Sequence, residues 1–364
     1  MKIQDITQRL EDWAPPILQE SYDNAGLITG HPHQTCSGIL VALDATPDVI
    51  DEAAQRGCNL VVAHHPIVFG GLKRINGKNY VEQAVIRAIK QDVAIYAIHT
   101  NLDNILDGVN GRMADRLGLV NRRILQPKRG MLYKLVVFVP HAQAEEVKQA
   151  MFEAGAGHIG AYSECSFGVE GKGSFRGDAS TNPFVGAVGV RHTEPETRLE
   201  LILPAWLEKP VLRAMKAAHP YEEVAYDLYA LQNDHQGVGS GLVGELAEPM
   251  AEEAFIQQIK TQFGLQVLRH TPLLGKSVKT VALCGGAGSF LTKAALAVGA
   301  DWYLTGDVKY HEFFDADGRM VLADLGHYES EQFTIDLLVE RLQEKFPTFA
   351  VLKTGVNTNP VRYA

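Results

Sequence analysis

The stretch Asn59-Leu60-Val61-Val62-Ala63-His64-His65-Pro66 decides how the rest of the chain is read. Four apolar residues follow the turn signal Gly57-Cys58-Asn59, as expected of a short strand buried on both faces. Pro66 ends the ladder because it has no N–H to donate. Two imidazoles therefore stand where the strand stops. Neighbouring side chains there point in different directions, so they can serve two centres. In open α/β sheets, ligands collect at the carboxyl ends of strands. Taken alone, His64-His65 reads equally well as two surface histidines in a loop, and the flanking sequence has to choose.

Upstream, a strand over 39–43, the turn Asp44-Ala45-Thr46 and a helix from about Pro47 make one α/β unit. Thr46 is a suitable N-cap, Pro47 suits the first helical position and Gly57 closes the helix. A short helix over 3–13 precedes this unit. Downstream come a helix over 80–90 and a strand over 93–98 that ends in His99-Thr100-Asn101-Leu102-Asp103. A strand has now run twice into polar residues able to bind a ligand. A helix over 109–117 closes this half.

The same order returns in the last third. A strand over 280–283 meets the glycine turn Gly285-Gly286-Ala287-Gly288, and a helix leads to a strand over 301–304 ending in Thr305-Gly306-Asp307. A strand over 320–325 then meets Gly326-His327-Tyr328-Glu329-Ser330-Glu331, which opens a long helix through Leu342. Val41-Ala42-Leu43 corresponds to Val281-Ala282-Leu283, Gly57 to Gly299, and His64-His65 to Gly306-Asp307. Two related α/β halves are expected.

Between them the character changes near residue 127. A strand over 135–140 and a helix over 143–154 are repeated at an offset of 64 residues, with Pro140 on Pro204, Ala150-Met151 on Ala214-Met215 and Ala161-Tyr162 on Ala225-Tyr226. A tandem βαβ of this kind is a ferredoxin-like module. The expected fold class is therefore α/β. Its two related halves form one discontinuous domain, 1–129 and 233–364, around an inserted ferredoxin-like α+β domain at 130–232.

At 364 residues, with 46% hydrophobic and 21% charged residues, the chain has the composition of an ordinary globular protein. A formal charge of −9 argues against a broad nucleic-acid surface. Cys36, Cys58, Cys165 and Cys284 show no CxxC spacing, so neither a zinc knuckle nor a disulfide framework is expected. No apolar run approaches the roughly 18 residues of a membrane span, and the first residues do not resemble a signal peptide. A cytoplasmic location is expected.

His327 and Glu331 are four apart at a helix start and project from one face. With His64, His65 and Asp103 they make three imidazoles and two carboxylates at strand ends or helix starts. That set suffices for two divalent ions, with one carboxylate bridging. Histidine nitrogen favours Zn, Mn, Fe or Co over Mg or Ca, and the lack of a thiolate fits a catalytic or exchangeable site. Each residue has a simpler reading: Asp103 as a cap, Glu331 as a first-turn acid, His327 as a packing group. It is their conjunction that argues for metal. His99, four before Asp103, is a candidate proton carrier. Lys309 and His311 are candidates to meet an anionic substrate. The turn 285–288 lacks the Lys-Ser/Thr of a P-loop and is a weak phosphate cradle.

His64-His65-Pro66-Ile67-Val68-Phe69, His99-Thr100-Asn101-Leu102-Asp103, Gly306-Asp307 and Gly326-His327-Tyr328-Glu329-Ser330-Glu331 together resemble the motifs of the Nif-three-like family. Its members bear the names GTP cyclohydrolase 1 type 2 homologue and dinuclear metal-centre hexameric protein. The resemblance covers both arms of the larger domain, including Asp23-Asn24-Ala25-Gly26-Leu27. The 130–232 module is similar to the PII/CutA-like insert of the longer members. The resemblance implies metal ligation by His64, His65, Asp103, His327 and Glu331, and a toroidal homohexamer whose sites face an inner cavity. It also implies a metal-dependent hydrolase in which activated water attacks a nucleotide or related small molecule. A non-catalytic regulatory or metal-handling hexamer, its insert sensing a small molecule, is the alternative. Ser240 stands where the family pattern Gly-x-Gly-Arg has arginine, so no anion-binding role is expected for 237–244.

Overall fold

The His64-His65 stretch forms the strand Leu60–His65, with Leu60 to Ala63 fully buried. In the computed structural model, which describes all residues from Met1 to Ala364, this strand is the centre of a five-stranded sheet. The order is Gly26–Thr29, Ala94–Ala97, Leu60–His65, Ile39–Asp44, Val351–Lys353. All neighbours run parallel except Gly26–Thr29, which is antiparallel to Ala94–Ala97. Parallel neighbours need crossovers, supplied by the helices Pro47–Gln55 and Tyr80–Lys90. The Thr46 hydroxyl accepts from the Val49 N–H at 3.4 Å and the Asn79 side chain from the Glu82 N–H at 2.9 Å. Each such cap contributes about 1 kcal/mol. Val49, Ile50 and Ala53 of one helix, and Ala84 and Ala88 of the other, pack with Leu40, Ala42, Val61 and Ala63. These strand residues alternate, as side chains on one sheet face must.

The other half is a six-stranded sheet of order Arg269–His270, Val321–Asp324, Trp302–Gly306, Ser277–Ala287, Gly239–Ala251, Leu119–Pro127. Ser277–Ala287, Trp302–Gly306 and Val321–Asp324 are parallel. They reproduce the trio Ile39–Asp44, Leu60–His65 and Ala94–Ala97, so the two related halves are there. The halves exchange edges: Val351–Lys353 finishes the first sheet and Leu119–Pro127 the second.

Two expectations need correction. The strand expected to stop at a glycine turn runs on through Gly285 and Gly286 to Ala287. The long helix after Gly326 is broken into His327–Glu331 and Thr334–Lys345. Gln332 and Phe333 form a turn between the two helices, and the Phe333 ring packs edge-on against Phe263 at 5.9 Å. The Gln332 side-chain amide also donates to the Phe263 carbonyl at 3.0 Å.

The chain divides into Met1–Gln126 with Gly237–Ala364, and Pro127–Gln236. The second unit is a four-stranded antiparallel sheet of order Ser166–Phe175, His192–Pro204, Leu132–Pro140, Tyr226–Ala230, with helices Ala144–Glu153 and Glu208–Ala218. That order is ferredoxin-like. Its core is Leu135, Val137 and Val139 against Val147, Met151, Val211 and Met215. No helix of the chain is long and apolar enough to cross a membrane.

Candidate metal centre

The carboxyl end of Leu60–His65 sends two imidazoles in different directions. His64 is fully buried and its Nδ1 donates to the Ile98 carbonyl at 2.8 Å. His65 Nδ1 meets Asp44 Oδ1 at 2.8 Å. Asp44 ends the adjacent strand and lies directly opposite His65 in the parallel register. His327, opening the helix after Val321–Asp324, meets Asp307 Oδ2 through its Nδ1 at 2.7 Å. His99 meets Asp23 Oδ1 through its Nδ1 at 2.8 Å. All four rings therefore commit Nδ1 to an oxygen acceptor, which leaves Nε2 as the nitrogen available to a ligand. An oxygen partner on one ring nitrogen is what orients a metal-binding histidine and fixes its tautomer.

Those Nε2 atoms converge on Glu331. Its Oε2 lies 3.0 Å from His65 Nε2 and 3.2 Å from His327 Nε2, and its Oε1 lies 3.9 Å from His64 Nε2. His327 Nε2 is 3.3 Å from His65 Nε2, and His64 Nε2 is 3.6 Å from Asp103 Oδ1. All five ligand candidates are thus brought together. His99 joins on the side of His64 and His65, with ring centroids 5.3 and 5.4 Å away. Two groupings are close enough to hold a cation: His65, His327 and Glu331, and His64, His65 and His99.

Close packing of backbone makes room for Glu331. A Cβ on Gly286, at φ +61°, would stand 2.4 Å from Glu331 Oε1, and one on Gly285 would stand 3.3 Å from its Cγ. The glycines read as a weak phosphate cradle are the wall against which this carboxylate lies. Asp307 adopts a left-handed φ of +54°, a conformation that Asp tolerates better than most non-glycine residues.

The electrostatics follow from burial opposed by close partners. Burial opposes a charge on His65, but hydrogen bonds with Asp44 and Glu331 overrule it and raise its pKa to about 10. Burial is likewise overruled at His327 by Glu331 and Asp307, raising it to about 9. For His64 burial prevails and pushes the imidazole down. Burial and then the charge of Glu331 push the Asp103 carboxyl well up. Glu331 is held well below the usual range: burial opposes its charge, but the three histidines outweigh it.

Lys309 and His311 do not line the cavity into which this centre opens. His311 packs edge-on against Tyr310 and stacks on Phe314 instead. Ser240 donates to Asn104 Oδ1 at 3.1 Å. The sequence reading did not assign roles to Asp44, Asp23 and Asp307, the partners that orient His65, His99 and His327. The available signal was an acid at the end of each neighbouring strand or turn.

Comparison with known proteins agrees with this architecture. The chain is 36% identical to a Bacillus cereus protein related to NIF3, with a TM-score of 0.87 over 100% of this chain and 99% of that one. A Staphylococcus aureus protein of known structure is 28% identical, with a TM-score of 0.77 over 100% of this chain and 99% of that one. In sequence, it is 40% identical over 366 residues to the GTP cyclohydrolase 1 type 2 homolog of Halalkalibacterium halodurans, spanning 99% of this chain and 98% of the relative. The Bacillus subtilis protein of that name is 38% identical over 89% of this chain and 88% of its own length. Residues 1–360 match the profile of Duf34/NIF3 (NGG1p interacting factor 3), and the chain belongs to that family.

Proposed function

We propose that this protein is a divalent-metal-dependent hydrolase, with His64, His65, Asp103, His327 and Glu331 holding two ions. The observation that carries the reading is the pair His64 Nε2 and Asp103 Oδ1: both are buried and neither has a hydrogen-bond partner. Leaving such atoms unpaired costs about 1–3 kcal/mol each, and a cation bound by both satisfies them. Glu331 presents one oxygen toward His64 and the other toward His65 and His327, so it would help to hold ions on either side. The nitrogen-rich set favours Zn, Mn, Fe or Co. Ions held there supply Lewis acidity and a water acidified toward neutrality.

The chain's own contribution is orientation and proton handling. Asp23 accepts from His99 Nδ1, from the Thr100 amide at 3.0 Å and from the Thr100 hydroxyl. With Nδ1 committed, His99 exchanges protons at Nε2 beside His64 and His65. Phe69 stands edge-on to the His99 ring at 5.6 Å.

The name borne by the relatives makes GTP the first substrate to test. We expect metal analysis of the purified protein to give about two divalent ions per chain and the loaded protein to release formate from GTP or a related ring. His64→Ala should lose metal and turnover together, whereas His99→Ala should keep metal and lose about 100-fold in rate. A sample that holds no metal removes the proposal. A metal-loaded sample that turns over neither nucleotides, nucleosides nor phosphoesters leaves the regulatory reading instead. A toroidal homohexamer belongs to the same proposal, supported by the family resemblance. A solution mass other than six chains removes that part.

A further inference from the structure

The candidate centre opens into a cavity of about 1320 Å³, ample for a nucleotide-sized ligand. Room does not restrict what binds; wall chemistry does. Six aromatic side chains line it: Tyr22, Phe69, Tyr80, Phe290, Tyr328 and Tyr363. All but Tyr328 are exposed, Phe290 by 63%. Aromatic rings gathered around one opening, rather than folded into a core, offer faces on which a flat ligand can stack. Phe69, edge-on to His99, joins this wall to the candidate centre.

The charge of the wall points the same way. Beyond Asp103 and Glu331, the cavity is lined by Glu20, Asp44, Asp307, Asp324 and Glu329. No lysine lines it, and its one arginine, Arg269, is already paired with Asp324. With two divalent ions bound and the histidines neutral as ligands, seven carboxylates against one guanidinium and four metal charges still leave two negative charges. A polyphosphate tail finds no free cationic side chain on this wall. The N–H edge of a neutral heterocycle finds many acceptors, and its face finds rings to stack on.

We infer that the cavity takes a planar, uncharged heteroaromatic ligand of nucleoside size in preference to a nucleoside triphosphate. This rests on the hydrolase reading and narrows its substrate class. The test uses the full-length, metal-loaded protein with guanosine, GMP and GTP as probes, binding being measured by calorimetry and metal content checked after each titration. Guanosine should bind at least about 10-fold more tightly than GTP at low salt, with the gap narrowing as salt screens the wall. Phe290→Ala and Tyr80→Ala, both at exposed positions, should each weaken guanosine binding by about 10-fold while metal content stays unchanged. Tighter binding of GTP, no detectable guanosine binding, or aromatic variants that bind guanosine normally overturns the inference and leaves the hydrolase proposal standing. Absence of metal from the purified protein overturns the hydrolase proposal, and this inference with it.

Discussion

Asp23 shows how one side chain can set the behaviour of a site without being among its proposed ligands. Its side chain is fully buried. Burial opposes its charge, yet hydrogen bonds from His99 and Thr100 prevail and lower its pKa from 3.8 to about 2. A depressed carboxylate contributes stability that is present above its unfolded value and lost as pH falls through its folded value. The shift corresponds to about 2 kcal/mol at neutral pH, lost between about pH 4 and pH 2. Asp23→Asn should therefore be less stable than the parent by about that amount at pH 6, and the difference should shrink on acidification. Urea unfolding of the metal-free protein across that range measures it, and a pH-independent difference counts against the assignment. His99 and Asp103 were legible in the sequence because each sits where a strand runs into polar residues. Asp23 was visible only as part of a family motif, because its partner lies 76 positions away.

At the scale of the element, the glycines that end Ser277–Ala287 are the sharpest constraint. Alanine at Gly286 has to hold a left-handed φ and bring its Cβ to 2.4 Å from Glu331 Oε1. Gly299 also has a left-handed φ, +73°, but nothing lies within 4 Å of an added Cβ. Gly299→Ala should cost about 1 kcal/mol of backbone strain and keep its metal, whereas Gly286→Ala should lose most metal binding because the carboxylate has to move. Metal content beside the melting temperature separates the two; full metal content in Gly286→Ala contradicts the placement of Glu331. Local pattern announced the helix Tyr80–Lys90 and the strand Leu60–His65, since a 3.6-residue or an all-apolar period is written into neighbouring residues. The break at Gln332 and Phe333 was not legible. Both residues of the break contact Phe263, on a helix far away in the sequence.

At the scale of the molecule, Pro127–Gln236 carries its own apolar core and its own four-stranded hydrogen-bonded sheet. Expressed alone it should fold, giving a mixed α/β circular dichroism spectrum and a cooperative melt; an unfolded fragment refutes an independent core. The rest of the chain behaves differently, because its halves depend on one another. Val351–Lys353 pairs with Ile39–Asp44 across almost the whole sequence. From there the chain runs on to Thr358, which donates to Asp44 at 2.5 Å, and to Asn359, which donates to Glu329 at 3.0 Å. The last residues thus tie the acceptor of His65 to the helix that carries His327 and Glu331. The sequence by itself determined the α/β class, the paired halves, the ferredoxin-like repeat and the residue types of the candidate metal site, because periodicity, turn chemistry and ligand spacing are properties of neighbours along the chain. Tertiary structure alone decided which oxygen orients each imidazole, that Glu331 stands between His64 and the pair His65 and His327, and that aromatic and acidic side chains wall one cavity. Those facts depend on distances between residues that only folding brings together.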